Sequence, residues 1–196
     1  MTHIVTTALS GVWPFAVTNV DDFVVLTALF VTVGRGGPTN RQIVVGQYLG
    51  IGALVAVSLA VTIGLASVPD RWIGLLGVVP IALGVRGLVR ARTVPSNVRA
   101  AAAVTGVVGV VALTLANGAD NVSVYIPLFR QAGAGTTSVY ILVFAVMVGV
   151  WCVAARAVAG QQPLIRMVER VGHWLVPMVY IAIGIRIIVT SGLFGT

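Results

Sequence analysis

The sequence predicts an all-α membrane protein: six transmembrane helices, arranged as two inverted-topology three-helix repeats. Three observations predict it. Hydrophobic residues make up 58% of the 196 and charged residues 9%, with a mean hydropathy of +1.05. A water-facing surface needs far more charge than that. Apolar runs of bilayer-crossing length recur along the chain. The second half also restates motifs of the first at an offset of 99–100 residues.

A spanning helix needs ~20 mostly apolar residues. The first run covers 10–33, contains Pro14, and ends at Gly34-Arg35-Gly36-Gly37-Pro38, a glycine and proline turn. The second covers 42–67 and closes at Pro69-Asp70. Its Gly46 and Gly50 form a GxxxG pattern, which signals close helix packing. Gln47 and Tyr48, between those glycines, are polar and expected to face inward. The third run is 72–89. The fourth, 100–129, holds the helix breaker Asn117-Gly118 and a possible kink at Pro127. The fifth, 139–158, follows a loop over 133–137, and the sixth, 172–191, follows the longest loop, 156–171. The runs are continuous rather than alternating, which argues against a β-barrel. A single transmembrane domain over 1–196 is expected, with repeat one at about 8–92 and repeat two at about 98–193. The N-terminus has no basic stretch of the signal-peptide kind, so no cleaved leader is expected.

All twelve basic residues are arginine. They lie singly in short loops, which fits membrane orientation better than nucleic acid. Arg35, Arg41, Arg90, Arg92, Arg99, Arg156, Arg166 and Arg170 flank the odd-numbered loops; Arg71 and Arg130 flank the even ones. By the positive-inside rule the odd loops are cytoplasmic and both termini are outside. One cysteine excludes a disulfide framework.

The repeat aligns Thr18-Asn19-Val20-Asp21-Asp22 with Asn117-Gly118-Ala119-Asp120-Asn121. It also aligns Ile81-Ala82-Leu83-Gly84-Val85-Arg86 with Ile181-Ala182-Ile183-Gly184-Ile185-Arg186. Three spans per half force the second half to run in the opposite sense, a design that places transporter substrates between the halves. Of five acids, Asp21, Asp22 and Asp120 sit in the matched motifs. A carboxylate at the centre of a spanning helix costs about 2.5–3.5 kcal/mol on insertion scales, so it marks function by default. Oxygen donors surround these acids. Asn19, Asp21, Asp22, Asn117, Asp120 and Asn121 are the expected metal-site residues, with Thr18, Gln47 and Ser123 as further polar lining. A carboxylate–amide set of this kind suits a divalent cation. The structural alternative pairs each acid with Arg86 or Arg186. Cys152 reads as a small core residue, and His173, beside Trp174, as an interfacial anchor.

At these residues the chain resembles the cadmium resistance transporter (CadD) family of the LysE exporter superfamily. The resembling segments are Thr18 to Asp22, Gly46 to Gly50, Asn117 to Phe129, and Gly172-His173-Trp174-Leu175. The resemblance implies a six-span bacterial inner-membrane protein that exports a divalent metal, named for cadmium. Oxygen donors themselves suit Mn, or acceptably Zn, more than soft cadmium. No phosphate-loop or ATPase motif is present, so an ion gradient is expected to drive efflux, with protons as the counter-ion. No permanent cofactor and no nucleic-acid partner are expected, and a homo-oligomer is left open. The competing readings are a LysE-type exporter of a small organic cation or amino acid, and an intramembrane aspartyl protease-like enzyme. The second needs a GxGD motif, of which only Gly118-Ala119-Asp120 is present.

Overall fold

The computed structural model describes residues 2–69, 72, 74–90, 100, 101 and 103–191. Its elements are α1 (Thr2–Thr18), α2 (Val20–Thr32), α3 (Asn40–Gly64), a 3-10 turn (Gly74–Gly77), α4 (Val78–Arg90), α5 (Gly106–Asn117), α6 (Ala119–Gln131), α7 (Ala134–Val158) and α8 (Gln162–Thr190). The described residues form an all-α helical bundle of membrane type.

Two of the expected spans are broken helices. α1 and α2 meet at Asn19 with a bend of 64°, and α5 and α6 meet at Gly118 with a bend of 66°. The first break has a local cause. Thr18 Oγ1 donates to Pro14 O at 2.9 Å, and Asn19 Nδ2 donates to Phe15 O at 2.8 Å. Side chains that take up the carbonyls one turn back compete with helix continuation. At the second break Gly118 supplies the weak point, since glycine pays the largest backbone entropy in a helix.

The α2–α3 turn runs through Gly34 and Gly36, whose φ values of 77° and 91° lie in the left-handed region that glycine adopts without penalty. α3 then starts on a capping box. Thr39 Oγ1 accepts from Gln42 N at 3.3 Å, and Gln42 Oε1 accepts from Thr39 N at 2.8 Å.

Packing follows small residues, as expected where lipid is as apolar as the side chains. Gly46 of α3 lies against Val110 of α5, and Gly50 against Thr114. At the other side of the bundle Gly84 of α4 lies against Pro177 and Ile181 of α8, while Gly184 lies against Gly77 and Ile81. α3 rests on α5 and α6; α7 rests on α1 and α2; α4 packs along α8. An aromatic cluster ties α1, α6 and α7 together. Phe15 and Phe144 stand 5.3 Å apart, Tyr125 and Phe144 4.7 Å, and Trp151 meets Phe15 edge-on at 5.7 Å.

The structure supports the expected span pattern in part. Among the described residues, Asn40–Gly64 and Ala134–Val158 are each long and apolar enough to cross a membrane, and counting each bent pair as one span brings the total to four. The third and sixth expected spans correspond to shorter apolar stretches, Leu75–Val89 and Val176–Thr190. Both stretches border positions whose side chains lie outside the described residues, and the second is the end of the 29-residue α8. The expected 156–171 loop is also mostly helix, because α8 begins at Gln162 with a proline in its first turn. Proline is well placed there, where its missing N–H costs nothing. α7 begins at Ala134, so the expected 133–137 loop shrinks to its first residues. Tyr48 is exposed rather than inward-facing; only its neighbour Gln47 is buried. Asp70, Arg71, Arg92 and Arg99, and the side chains of Arg90, Arg166, Glu169, Arg170 and His173, lie outside the described residues.

Candidate metal centre

The two breaks bring the matched motifs into one buried polar cluster. Asn19 is 0% exposed, Asn121 2% and Asp22 4%. Asn19 Oδ1 accepts from Asn121 Nδ2 at 3.3 Å, a direct link between the first and second motifs. Tyr125 of α6 adds a second link: its hydroxyl accepts from Asn19 Nδ2 at 3.0 Å and lies 3.5 Å from Thr18 Oγ1. Trp151 of α7 donates its indole N–H to Asn19 O at 2.8 Å. The same carbonyl accepts from Phe23 N at 2.9 Å, so the indole adds a second donor to it at the break.

The carboxylates sit at helix starts. Asp21 and Asp22 occupy the first turn of α2, and Asp120 the first turn of α6. Helix N-termini carry partial positive charge and offer free N–H groups, which favour an anion there. Asp120 Oδ1 accepts from Asn121 N at 2.9 Å. Asp22 and Asp120 each also have a side-chain donor from a neighbouring helix. Gln47 Nε2 of α3 donates to Asp22 Oδ2, and the Tyr180 hydroxyl of α8 donates to Asp120 Oδ2. Gln47 is held in turn by Thr114 of α5, whose Oγ1 donates to Gln47 Oε1 at 2.9 Å.

Not every expected residue is placed alike. Asn19, Asp22, Asn121, Thr18 and Gln47 are buried together, while Asp120, Asn117 and Ser123 are half-buried. Ser123 Oγ donates to Asp120 O at 2.7 Å, a local helix bond. Asp21 is exposed, one position round the helix from Asp22. The three carboxylates lie within electrostatic range of one another. Among the described residues no three His, Cys, Asp or Glu side chains converge as a metal cluster. The donor set here is instead mixed: carboxylates, amides and hydroxyls. Its chemistry fits a hard or borderline divalent cation that must later be released. Cys152 is buried, as the sequence suggests, and lies within electrostatic range of Asp22.

The arginine-pairing alternative fares poorly for two acids, since Asp22 is bonded to Gln47 and Asp120 to Tyr180. Arg86 and Arg186 are both exposed. Arg186 instead lines a separate cavity of about 640 Å³ with Ser10, Pro14, Gln131 and Tyr140.

The family model described as cadmium resistance transporter matches residues 15–196. The chain belongs to the cadmium resistance transporter family. The match covers both motifs, both helix breaks and α8, so the polar cluster lies within the cadmium resistance transporter region. No curated protein and no solved structure matches the chain. Family and helical fold together support an inner-membrane location and a transporter rather than an enzyme.

Thr114, Tyr125, Trp151 and Tyr180 belong to the cluster but were not among the candidate residues expected from sequence. Tyr125 lies inside a family-like segment and follows Asn121 by one helical turn, which was the available signal. Thr114 lies a similar distance before Asn117. Trp151 and Tyr180 carry no motif at all.

Proposed function

We propose that this chain is a secondary-active exporter of divalent metal cations, cadmium or a related ion such as Zn or Mn, with protons as the counter-ion. The observation that carries the proposal is the joining of Asn19 to Asn121. It places a carboxylate–amide motif from each half of the chain in one buried cluster at two helix breaks. Family membership supplies the transporter class.

In this reading Asn19, Asp21, Asp22, Asn117, Asp120 and Asn121 surround the ion, with Thr18, Gln47 and Ser123 as further polar lining. The broken helices add what side chains alone do not. The C-terminal ends of α1 and α5 offer carbonyls with partial negative charge, and such ends serve cations in transporters built on discontinuous helices. The metal displaces protons from the carboxylates on the loading side, and protons return on the other side to drive release.

Two inverted three-span repeats are the architecture we infer for this work. The matched contacts support it. The bends fall at aligned positions with nearly equal angles. Gly84 meets Ile181 while Gly184 meets Ile81, and α3 on α5 mirrors α7 on α1. Such halves can rock about a shared site. The third and sixth spans would then pack against each other through α4 and α8. Both termini would face outward.

The test is uptake into proteoliposomes with a panel of divalent metals at two opposed pH gradients. Uptake of Cd, Zn or Mn that reverses with the gradient is expected. Metal movement indifferent to the gradient would remove proton coupling, and amino-acid movement without metal movement would overturn the substrate.

A further inference from the structure

The Gln47 amide stands between the Asp22 carboxylate and the Thr114 hydroxyl. Nε2 donates to Asp22, and Oε1 accepts from Thr114 Oγ1 at 2.9 Å. All three side chains are buried. Thr114 Oγ1 also reaches Val110 O at 3.1 Å, so its hydroxyl has a second acceptor. The close approach of α3 and α5 at Gly50, where a Cβ would lie 2.7 Å from the Thr114 side chain, brings the hydroxyl to the amide.

With the cluster's proton held on another carboxylate, ionised Asp22 only accepts hydrogen bonds, so the amide presents its NH₂ group to it. A divalent cation on Asp22 reverses the demand. The N–H bonds then point at positive charge, and the ligating oxygen faces away. Turning the amide by half a turn about its terminal bond corrects both. Oε1 then faces the cation and Nε2 faces Thr114. A hydroxyl can serve either orientation, because it holds one donor and two lone pairs. It donates to Oε1 in the first orientation; in the second it donates to Val110 O and accepts from Nε2.

We propose that Gln47 is a reversible amide latch turned by cation loading at Asp22, and that Thr114 is the positioning residue that makes both orientations available. The proposal rests on the metal-site reading above. A second observation points the same way. Asn121, the residue aligned with Asp22 in the repeat, keeps a buried Oδ1 that has no hydrogen-bond partner among the described residues. Leaving such an acceptor unsatisfied is costly unless a ligand uses it. Loading would give that oxygen a partner as it turns Gln47.

The experiment is calorimetric titration of the purified full chain with Mn²⁺ and Cd²⁺, with detergent melting temperature measured in parallel. Thr114→Ser keeps the hydroxyl and should bind as the wild type does. Thr114→Val keeps the shape and loses the hydroxyl, and its affinity should fall about tenfold, the worth of one hydrogen bond. Gln47→Glu carries oxygen on both branches and needs no turn. In that background Thr114→Val should therefore cost little affinity. A purely structural role for Thr114 would lower the melting temperature and cost the same affinity in both backgrounds, which would overturn the latch. So would Thr114→Val binding like the wild type. Should Thr114→Val not fold, Thr114→Ala makes the same comparison. If the wild type binds neither ion, the metal-site reading itself is lost, and the latch falls with it.

Discussion

At the scale of single residues, the acids differ in what holds them. Asp22 and Asp120 each accept from a side chain on another helix, whereas Asp21 is exposed. Asp22→Asn and Asp120→Asn are therefore expected to abolish metal resistance in cells with protein level retained, as judged by immunoblot. Asp21→Asn should reduce it less. Tyr180→Phe removes the donor from a largely buried carboxylate. It should cost about 1.5–3 kcal/mol of stability, read as a lowered melting temperature in detergent. Adding Asp120→Asn should restore part of that loss, because the unpaired charge disappears with it. The sequence pointed to the acids and amides through the rarity of charge in a membrane. It did not single out Tyr180, Thr114 or Trp151, since an isolated polar or aromatic residue in an apolar helix is unremarkable until its neighbour is known. Gln47 and Tyr48 looked equivalent on composition; a rotation of ~100° per residue buries one and exposes the other.

Among the elements, the breaks and the close contacts carry the shape. A Cβ at Gly118 would overlap the Leu54 side chain, and one at Gly50 would meet Thr114 at 2.7 Å. Gly118→Ala and Gly50→Ala should each cost about 1–3 kcal/mol of stability through overpacking, read as a lowered melting temperature. Gly52, on the same helix as Gly50, has nothing within 4 Å. Gly52→Ala should leave stability unchanged or raise it by up to about 1 kcal/mol through helix propensity. Equal losses at positions 50 and 52 would contradict the packing of α3 on α5. The Asn117-Gly118 break was legible because the dipeptide is a poor helix former. The start of α8 was not. Residues 162–171 hold Gln162, Pro163, Arg166, Glu169 and Arg170, and a search for apolar length reads such a segment as loop even where it is helical.

For the whole molecule, the aligned contacts turn a sequence repeat into a spatial expectation. In a Cys152→Ala background, Asn19→Cys with Asn121→Cys should be bridged by Hg²⁺, because the native side chains touch at 3.3 Å. Prior occupancy by the transported metal should slow the bridging. Absence of any bridge would separate the two motifs. A reporter fused after Thr196 should read as external. The all-α membrane character was legible from hydropathy, whereas the packing of the stretches at 75–89 and 176–190 against each other was not, since hydropathy carries no pairing information.

The donors of the two buried acids bear on how the chain enters a bilayer during synthesis. Gln47, which serves Asp22, comes from the same half of the chain as its acid, and so does Tyr180, which serves Asp120. Neither acid has to wait for the other half before it is partnered, so neither of these two carboxylates enters hydrocarbon bare. Two separate polypeptides, 1–95 and 96–196, should therefore each integrate when synthesised alone and associate when synthesised together. Carbonate-resistant membrane fractions of each fragment, followed by co-purification of the pair, would record this. Rapid loss of either fragment in the absence of the other would mean that the acids are neutralised only after the halves have met.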